Sequence, residues 1–414
     1  MSYFFILGNN PTLSFAEIVA VFKIKPEQVL ALTNETLIVD LEEEIDAQQI
    51  IRRLGGTIKL GIINDELRIK NYELIANDSI FKLINTDNVT GKFNFGISYY
   101  GKGKFKDEKR LAMELKKALK EIGVSSRWVT SREKTLSSVV VEQNKLVGDR
   151  GVEIVIINDD AKTYVGKTLA VQPFKELSAR DYGRPGRDDY SGMLPPKLAQ
   201  MMINLSGAEF DDVLLDPFCG SGTILTEAAL MGALTPTLSQ RAREFKFNLI
   251  GADQSEKAVK DTKINVNWLL KQYPISNIQY QLFQCDARQL SQKITRESID
   301  AIVTEPYLGP SRMQRNEKNI RQVAAELENL YRQAMMEFMK VIKPNGRVIM
   351  IWPVFKLEGF DISLNSDKIL NSSLKIVNPL LGFNSKVLKL TDRKTIVYGR
   401  PEQKIWREIV SLKK

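Results

Sequence analysis

At 414 residues the chain is long enough for two or three domains with sizeable cores, and its 43% hydrophobic and 26% charged content is that of a globular protein. The informative quantity is the net charge of +9, which favours a polyanionic partner. The complete absence of histidine excludes Ser-His-Asp and Cys-His mechanisms, a histidine base and nearly every catalytic zinc site; two cysteines, Cys219 and Cys285, fit a reducing compartment and cannot hold zinc alone, so no metal is expected.

Met1 to Gly8 lacks the basic and long apolar regions of a signal peptide, and no stretch approaches the roughly 20 apolar residues that cross a bilayer. A cytoplasmic protein without a membrane partner is expected. In the first block, about 1 to 65, Tyr3–Leu7 reads as a strand, and Ser14 with Glu17 forms a capping box for a helix over 15–22. Leu37–Asp40 reads as a strand, and 46–54 as a helix ending at Gly55-Gly56. The second block, about 66 to 172, carries Phe93-Asn94-Phe95-Gly96-Ile97-Ser98 and then a basic run. A helix over 107–122 should place Leu111, Met113, Leu115, Leu119 and Ile122 on one side, with strands at 138–142 and 152–157.

The third block, about 173 to 414, alternates strands with helices. Strands are read at 212–215, 245–250, 278–284, 299–304 and 347–352, and helices at 223–231, 256–272 (capped by Ser255) and 319–342. Such alternation implies a doubly wound, mostly parallel α/β sheet whose ligands lie at the carboxyl ends of its strands. The first four strands each end on or just before an acid, so Asp216, Asp253, Asp286 and Glu305 should face one crevice. Any one of them alone reads equally as a helix cap or loop acid. Between the first strand and its helix, Asp216-Pro217-Phe218-Cys219-Gly220-Ser221-Gly222-Thr223 puts bare backbone where a ligand must approach. The glycine spacing by itself is also that of an ordinary strand-to-helix turn, and the lack of Gly-Lys-Ser/Thr argues against a phosphate-gripping loop.

This segment resembles motif I of the class I S-adenosylmethionine-dependent methyltransferases, especially those acting on base amino groups. The resemblance implies a Rossmann-like domain and S-adenosylmethionine as cofactor. It puts Asp216, Phe218, Gly220, Gly222 and Thr223 around the methionine end, Asp253 on the ribose, Asp286 on the adenine amine, and Gln254 and Ala287 in the adenosine pocket. Thr304-Glu305-Pro306-Tyr307-Leu308-Gly309-Pro310 resembles motif IV of the amino-methyltransferases. There an acid or amide and a main-chain carbonyl accept hydrogen bonds from the target amine and an aromatic ring stacks on the base, so Glu305, Pro306 and Tyr307 are the catalytic candidates. Glu305 departs from the usual Asp or Asn, and Leu308 takes the usual aromatic place. A re-registered site, a different base and a loss of activity all stay open.

The Phe93–Ser98 and Ser137-Ser138-Val139-Val140-Val141-Glu142-Gln143-Asn144 segments resemble a THUMP domain, which implies contact with the tRNA acceptor region. The RNA-binding candidates are Lys102, Lys104, Lys106, Lys116 and Lys120, whose alternative role is a solvated helix face. Arg180-Asp181-Tyr182-Gly183-Arg184-Pro185, then Ser191-Gly192-Met193-Leu194-Pro195-Pro196-Lys197-Leu198-Ala199, and the opening Phe5 to Ile18 are similar to archaeal and eukaryotic tRNA guanosine-N2 methyltransferases acting at position 10. The function expected is methyl transfer to guanosine N2 in tRNA or another structured RNA; the oligomeric state stays open, with a monomer favoured. The competing readings are a DNA adenine or cytosine amino-methyltransferase and a non-catalytic cofactor- and RNA-binding protein.

Overall fold

The computed structural model describes the chain except for residues 65–79, 81, 85–90, 188–192, 210, 234–247, 274, 276–277, 311–315 and 371. Two compact units result. The first is Met1–Pro11, Ile24–Arg52 and Gly56–Phe174; the second is Thr12–Lys23, Arg53–Gly55 and Lys175–Lys414. The border expected near 172 falls close to this division. The first two blocks, by contrast, share one sheet, because strand β4 (Thr57–Ile63) pairs with β8 (Thr163–Val171).

The first unit is an eight-stranded sheet in the order β2-β3-β1-β4-β8-β7-β5-β6. It is built from β1 (Ser2–Leu7), β2 (Val29–Leu32), β3 (Thr36–Asp40), β4, β5 (Phe93–Tyr100), β6 (Ser126–Val129), β7 (Gly151–Asn158) and β8. Among the described residues this stretch of chain also passes through helices α1 (Pro11–Phe22, nearly all of it in the second unit), α2 (Ala47–Arg53) and α3 (Glu108–Glu121). α3 lays Leu111, Ala112, Leu115 and Leu119 on Phe93, Phe95, Ile97, Ile154 and Ile156. Met113 and Ile122, expected on that apolar side, are 49% and 55% exposed; Ala112 takes the place Met113 was expected to fill. Residues 138–142, expected as a strand, form helix α4 (Ser138–Gln143), because the Ser137 hydroxyl accepts from the Val140 amide and starts a helical turn that the β-branched valines do not prevent. The capping box expected at Ser14 is also corrected. Proline is tolerated in a first turn, α1 begins at Pro11, and Ser14 and Glu17 lie buried inside it.

On the other face of this sheet, the Glu153 carboxylate accepts from Ser98 Oγ at 2.5 Å and Thr168 Oγ1 at 2.6 Å and pairs with Lys59, which also donates to the Leu136 carbonyl at 2.6 Å. Four adjacent strands or their loops thus share one buried ion pair.

The second unit carries helices α5 (Phe174–Tyr182), α6 (Pro196–Ser206), α7 (Thr223–Ala233), α8 (Glu256–Gln272), α9 (Glu317–Val341) and α10 (Ser366–Ile369). Its nine-stranded sheet has the path β11-β10-β9-β12-β13-β17-β15. β9 (Val213–Asp216), β10 (Asn248–Asp253), β11 (Gln279–Gln284), β12 (Ile299–Thr304) and β13 (Ile342–Lys356) run parallel. β14 (Asp361–Ser363), β15 (Lys375–Ile376), β16 (Ile396–Tyr398) and β17 (Ile405–Lys413) complete it, with β17 antiparallel to β13. The strand expected at 245–250 is described from Asn248 onward; Phe245 and Phe247 lie outside the described residues. α9 buries Ile320, Leu327, Ala334, Phe338 and Val341 against Ile302, Met350 and Trp352, which realises the helical spacing read from the sequence. Strand order reverses between β9 and β12, where a doubly wound sheet opens a ligand crevice.

Lys59→Met should cost about 3–5 kcal/mol, because it strands a buried carboxylate. Urea unfolding will measure it, and the double variant Lys59→Met/Glu153→Leu should be more stable than Lys59→Met alone; the reverse order would contradict this account of the ion pair.

Candidate active site

At the reversal point, β9 ends on Asp216 and β12 on Thr304. The two are joined there, since Thr304 Oγ1 donates to Asp216 Oδ1 at 2.7 Å and the Phe218 amide donates to the same oxygen at 3.2 Å. Burial pushes the Asp216 carboxyl up to about 7; the negative charges of Asp253 and Glu305 add to the rise, and the two hydrogen bonds oppose it. These three acids therefore share one electrostatic environment; Asp286, the fourth acid expected with them, is not among the charges felt at Asp216. Next along the sheet, Asp253 ends β10, accepts from the Gly220 amide at 3.0 Å and from the Ser255 amide at 2.8 Å, and so ties the motif I loop to the start of α8.

α8 supports the same loop from beneath. Thr262 Oγ1 donates to the Gly220 carbonyl at 2.8 Å, and Asn265 Nδ2 to the carbonyls of Ser221 and Gly186 at 2.7 Å each. The two glycines have different reasons to be glycine. Gly220 has φ +52° and a Cβ there would meet nothing nearer than the Phe218 carbonyl oxygen at 4.0 Å, so it opens onto free space. Gly222 has φ +81° and its Cβ would stand 2.7 Å from Thr262 Cγ2, so it serves packing. Thr223 opens α7, is buried, and accepts from Arg184 Nη1 at 2.6 Å. Phe218 is half-buried, and Cys219 is buried with its thiol pushed up by desolvation, so it is no nucleophile.

Two buried arginines flank α7 and differ sharply. Arg180 is neutralised side-on by Glu227 at 2.7 and 3.1 Å. Arg184, 3% exposed, has the Thr223 hydroxyl and the Met193 thioether as partners, and its Nε is buried without one.

Asp286 follows β11 and is committed: both oxygens accept from Arg288, at 2.5–3.1 Å, and this partner holds its carboxyl below the usual range. Ala287 is buried beside it, and the Gln254 carbonyl accepts from Gln284 Nε2 at 3.2 Å. Glu305 begins the loop after β12. Its Oε1 accepts from Arg407 Nε at 2.6 Å, a contact across 102 residues that no local pattern announces. Pro306 is buried, Tyr307 is 53% exposed, and its carbonyl accepts from Tyr331 of α9 at 2.7 Å. Sequence reading did not find Arg407 or Tyr331; Thr262 and Asn265 fell within a helix read correctly but without a role.

The five lysine candidates lie in the first unit. Lys102, Lys104 and Lys106 stand on the exposed loop between β5 and α3, and Lys116 and Lys120 on the exposed side of α3. Lys102 pairs with Asp160 at 2.6 Å, both largely exposed.

Residues 184–357 match the family described as an RMKL-like methyltransferase domain. Over that part the chain is similar to methyltransferase domains. A family described as a DNA methylase also matches, over residues 62–264. Among curated relatives, a tRNA (guanine(10)-N2)-dimethyltransferase of Methanothermobacter thermautotrophicus is 32% identical over 227 residues, 53% of this chain and 57% of the relative. One of the same name from Methanocaldococcus jannaschii is 29% identical over 194 residues, 45% of this chain and 46% of the relative. The chain thus spans about half the length of the curated relatives it matches. Among solved structures, TrmN from Thermus thermophilus covers 100% of both chains at a TM-score of 0.53 and 16% identity, a likeness of fold. The second unit has the doubly wound, mostly parallel α/β fold that the alternation of strands and helices implied.

Two outcomes test this geometry. Gly222→Ala should lower the unfolding temperature more than Gly220→Ala, since only the former adds a clash with Thr262 to the strain of positive φ, a penalty of about 1–3 kcal/mol for overpacking. Equal losses would contradict the packing role of Gly222. The raised carboxyl of Asp216 contributes stability that is full below pH 3.8, where folded and unfolded chains both hold the proton, and is lost as pH rises through about 7. Asp216→Asn should therefore gain on wild type between these limits in denaturant titrations; a pH-independent difference would rule the shift out.

Proposed function

We propose that the chain transfers a methyl group from S-adenosylmethionine to an exocyclic base amine, guanosine N2 in tRNA, as the curated names of its relatives suggest. The observation that carries this reading is the sharing of one charged environment by Asp216, Asp253 and Glu305 at successive strand ends, beside a loop whose Gly220 opens onto free space.

The residues present fit the cofactor. Backbone from Phe218 to Thr223 and the Asp216 carboxylate would lie along the methionine end, Asp253 would accept from the ribose hydroxyls, and Gln254 and Ala287 would line the adenosine. Asp286 would take the adenine amine once Arg288 shares it. Arg184, a buried guanidinium with no carboxylate hydrogen-bonded to it among the described residues, at the amino end of α7, is the cation suited to the carboxylate of the amino-acid portion. The bound cofactor supplies an electrophilic methyl group on a sulfonium. Everything else is orientation. Glu305 and the Pro306 carbonyl accept the amine hydrogens and turn the nitrogen lone pair towards the methyl, while the exposed Tyr307 ring packs on the base; no histidine is needed. The base leaves its stack at a cost of a few kcal/mol, offset by phosphate contacts of Lys102, Lys104, Lys106, Lys116 and Lys120 on a THUMP-like first unit. RNA affinity should then fall steeply with salt, and each lysine removed should flatten log K against log salt by about 0.7–0.9 if it contacts a phosphate.

A second reading, a DNA amino-methyltransferase, has the DNA methylase match in its favour. Competition between tRNA and duplex DNA in a filter-binding assay separates the two, and a preference for DNA would remove ours.

Glu305→Ala should abolish methylation of tRNA while cofactor affinity stays within about threefold, because of the two ligands Glu305 meets the base and not the cofactor. Nucleoside mass spectrometry after reaction with labelled cofactor is the check. A product on adenosine or cytidine, or undiminished turnover, would refute the assignment. Calorimetry tests the cofactor pocket separately: Arg184→Met should weaken S-adenosylhomocysteine at least tenfold and leave methylthioadenosine, which lacks the carboxylate, unaffected; equal losses would remove Arg184 from that role.

A further inference from the structure

The departure of Glu305 from the Asp or Asn of related motifs has a structural counterpart on the last strand. An added methylene gives the carboxylate one more rotatable bond, and misplacing a reacting group by about an ångström can cost roughly a hundredfold in rate. A glutamate at this position needs something to hold it.

Arg407 meets that need. Its Nε donates to Glu305 Oε1 at 2.6 Å, and each side chain is 14% exposed, so the pair is shielded enough to be stronger and more ordered than a surface ion pair. Arg407 is itself on a rigid mount. β17 is paired on both sides of it, opposite Pro353 of β13 and Tyr398 of β16. Both sequence neighbours are anchored as well. The Trp406 indole donates to the Arg400 carbonyl at 2.9 Å beneath the Lys356 ammonium, and Glu408 accepts from Arg393 at 2.7 and 2.8 Å and from Thr395. Meanwhile α9 fixes the loop backbone through Tyr331 and the Tyr307 carbonyl. Glu305 is held at its side chain by β17, and its loop at the backbone by α9. Among the described residues Glu305 Oε2 has no donor, so one oxygen is clamped and the other is left to accept a hydrogen.

We propose that Arg407 is a positioning residue for methyl transfer: it clamps one oxygen of Glu305 so that the longer acid presents the other to the target amine. Arg407 touches neither cofactor nor base in this role and acts through Glu305 alone. The proposal rests on the reading of Glu305 as the amine acceptor.

The test is a cycle of Arg407→Met, Arg407→Lys, Glu305→Gln and Glu305→Gln/Arg407→Met, with kcat and KM on a tRNA transcript and S-adenosylhomocysteine affinity by calorimetry. Arg407→Met should lower kcat about 30- to 100-fold, the scale set by small misplacement, with KM and cofactor affinity within about threefold. Arg407→Lys should recover part of the loss, and the double variant should be no slower than Glu305→Gln alone, because the clamp has nothing left to position. Unchanged kcat in Arg407→Met, a raised KM with normal kcat (an arginine that simply binds RNA), or multiplicative losses in the double variant would each overturn the proposal. Should wild type methylate no RNA, the reading of function fails, and the clamp is judged on the same cycle in urea midpoints: absence of coupling between positions 305 and 407 overturns it, whereas clear coupling upholds the clamp.

Discussion

The contact on which the site depends is the hydrogen bond from Thr304 to Asp216, made inside the protein at the point where the strand order reverses. It joins the end of β9, which carries the motif I loop, to the end of β12, which carries the motif IV loop. A carboxylate buried here is costly unless it is bonded or protonated, and Asp216 is bonded to Thr304 and the Phe218 amide and raised to about 7. An ammonium group nearby would favour its ionised form. The buried acid is therefore the joint between two loops, with a charge state that depends on its surroundings.

Around that joint, the loops owe their shape to groups that never face the crevice. Asn265 and Thr262 take carbonyls of the motif I loop from below, and Thr262 also closes the space beside Gly222. Tyr331 takes a carbonyl of the motif IV loop and Arg407 its acid. Each support comes from a helix or a paired strand, which loses little further entropy in holding a loop. The charge pattern follows the same logic: Arg180, Arg288 and Arg407 each have an acid, and Arg184 has none hydrogen-bonded to it among the described residues. A guanidinium left without an acid at a helix amino end is the one most in need of an anionic ligand.

Much of this was legible in the chain itself. Period-two and period-3.6 patterns located β9, β12, α8 and α9 almost to the residue, because each buries one clear face, and the acids at strand ends followed from the rule that parallel sheets expose their carboxyl ends. Where local and tertiary preferences disagreed, reading failed. Residues 138–142 are rich in valine yet helical because a serine cap outweighs a weak propensity, and Ser14 and Glu17 look like a cap yet lie buried in a helix that a proline begins earlier.

By itself the sequence determined the class of fold, the placing of acids at the strand ends and the absence of any histidine chemistry, since all of these are properties of short windows of chain. Only the tertiary structure decided which acids are free and which are spoken for. Asp286 is taken by Arg288, Glu305 by an arginine 102 residues away, and the glycines of motif I divide between open space and helix packing. Such partnerships depend on distances across the sheet, and spacing along the chain does not encode them.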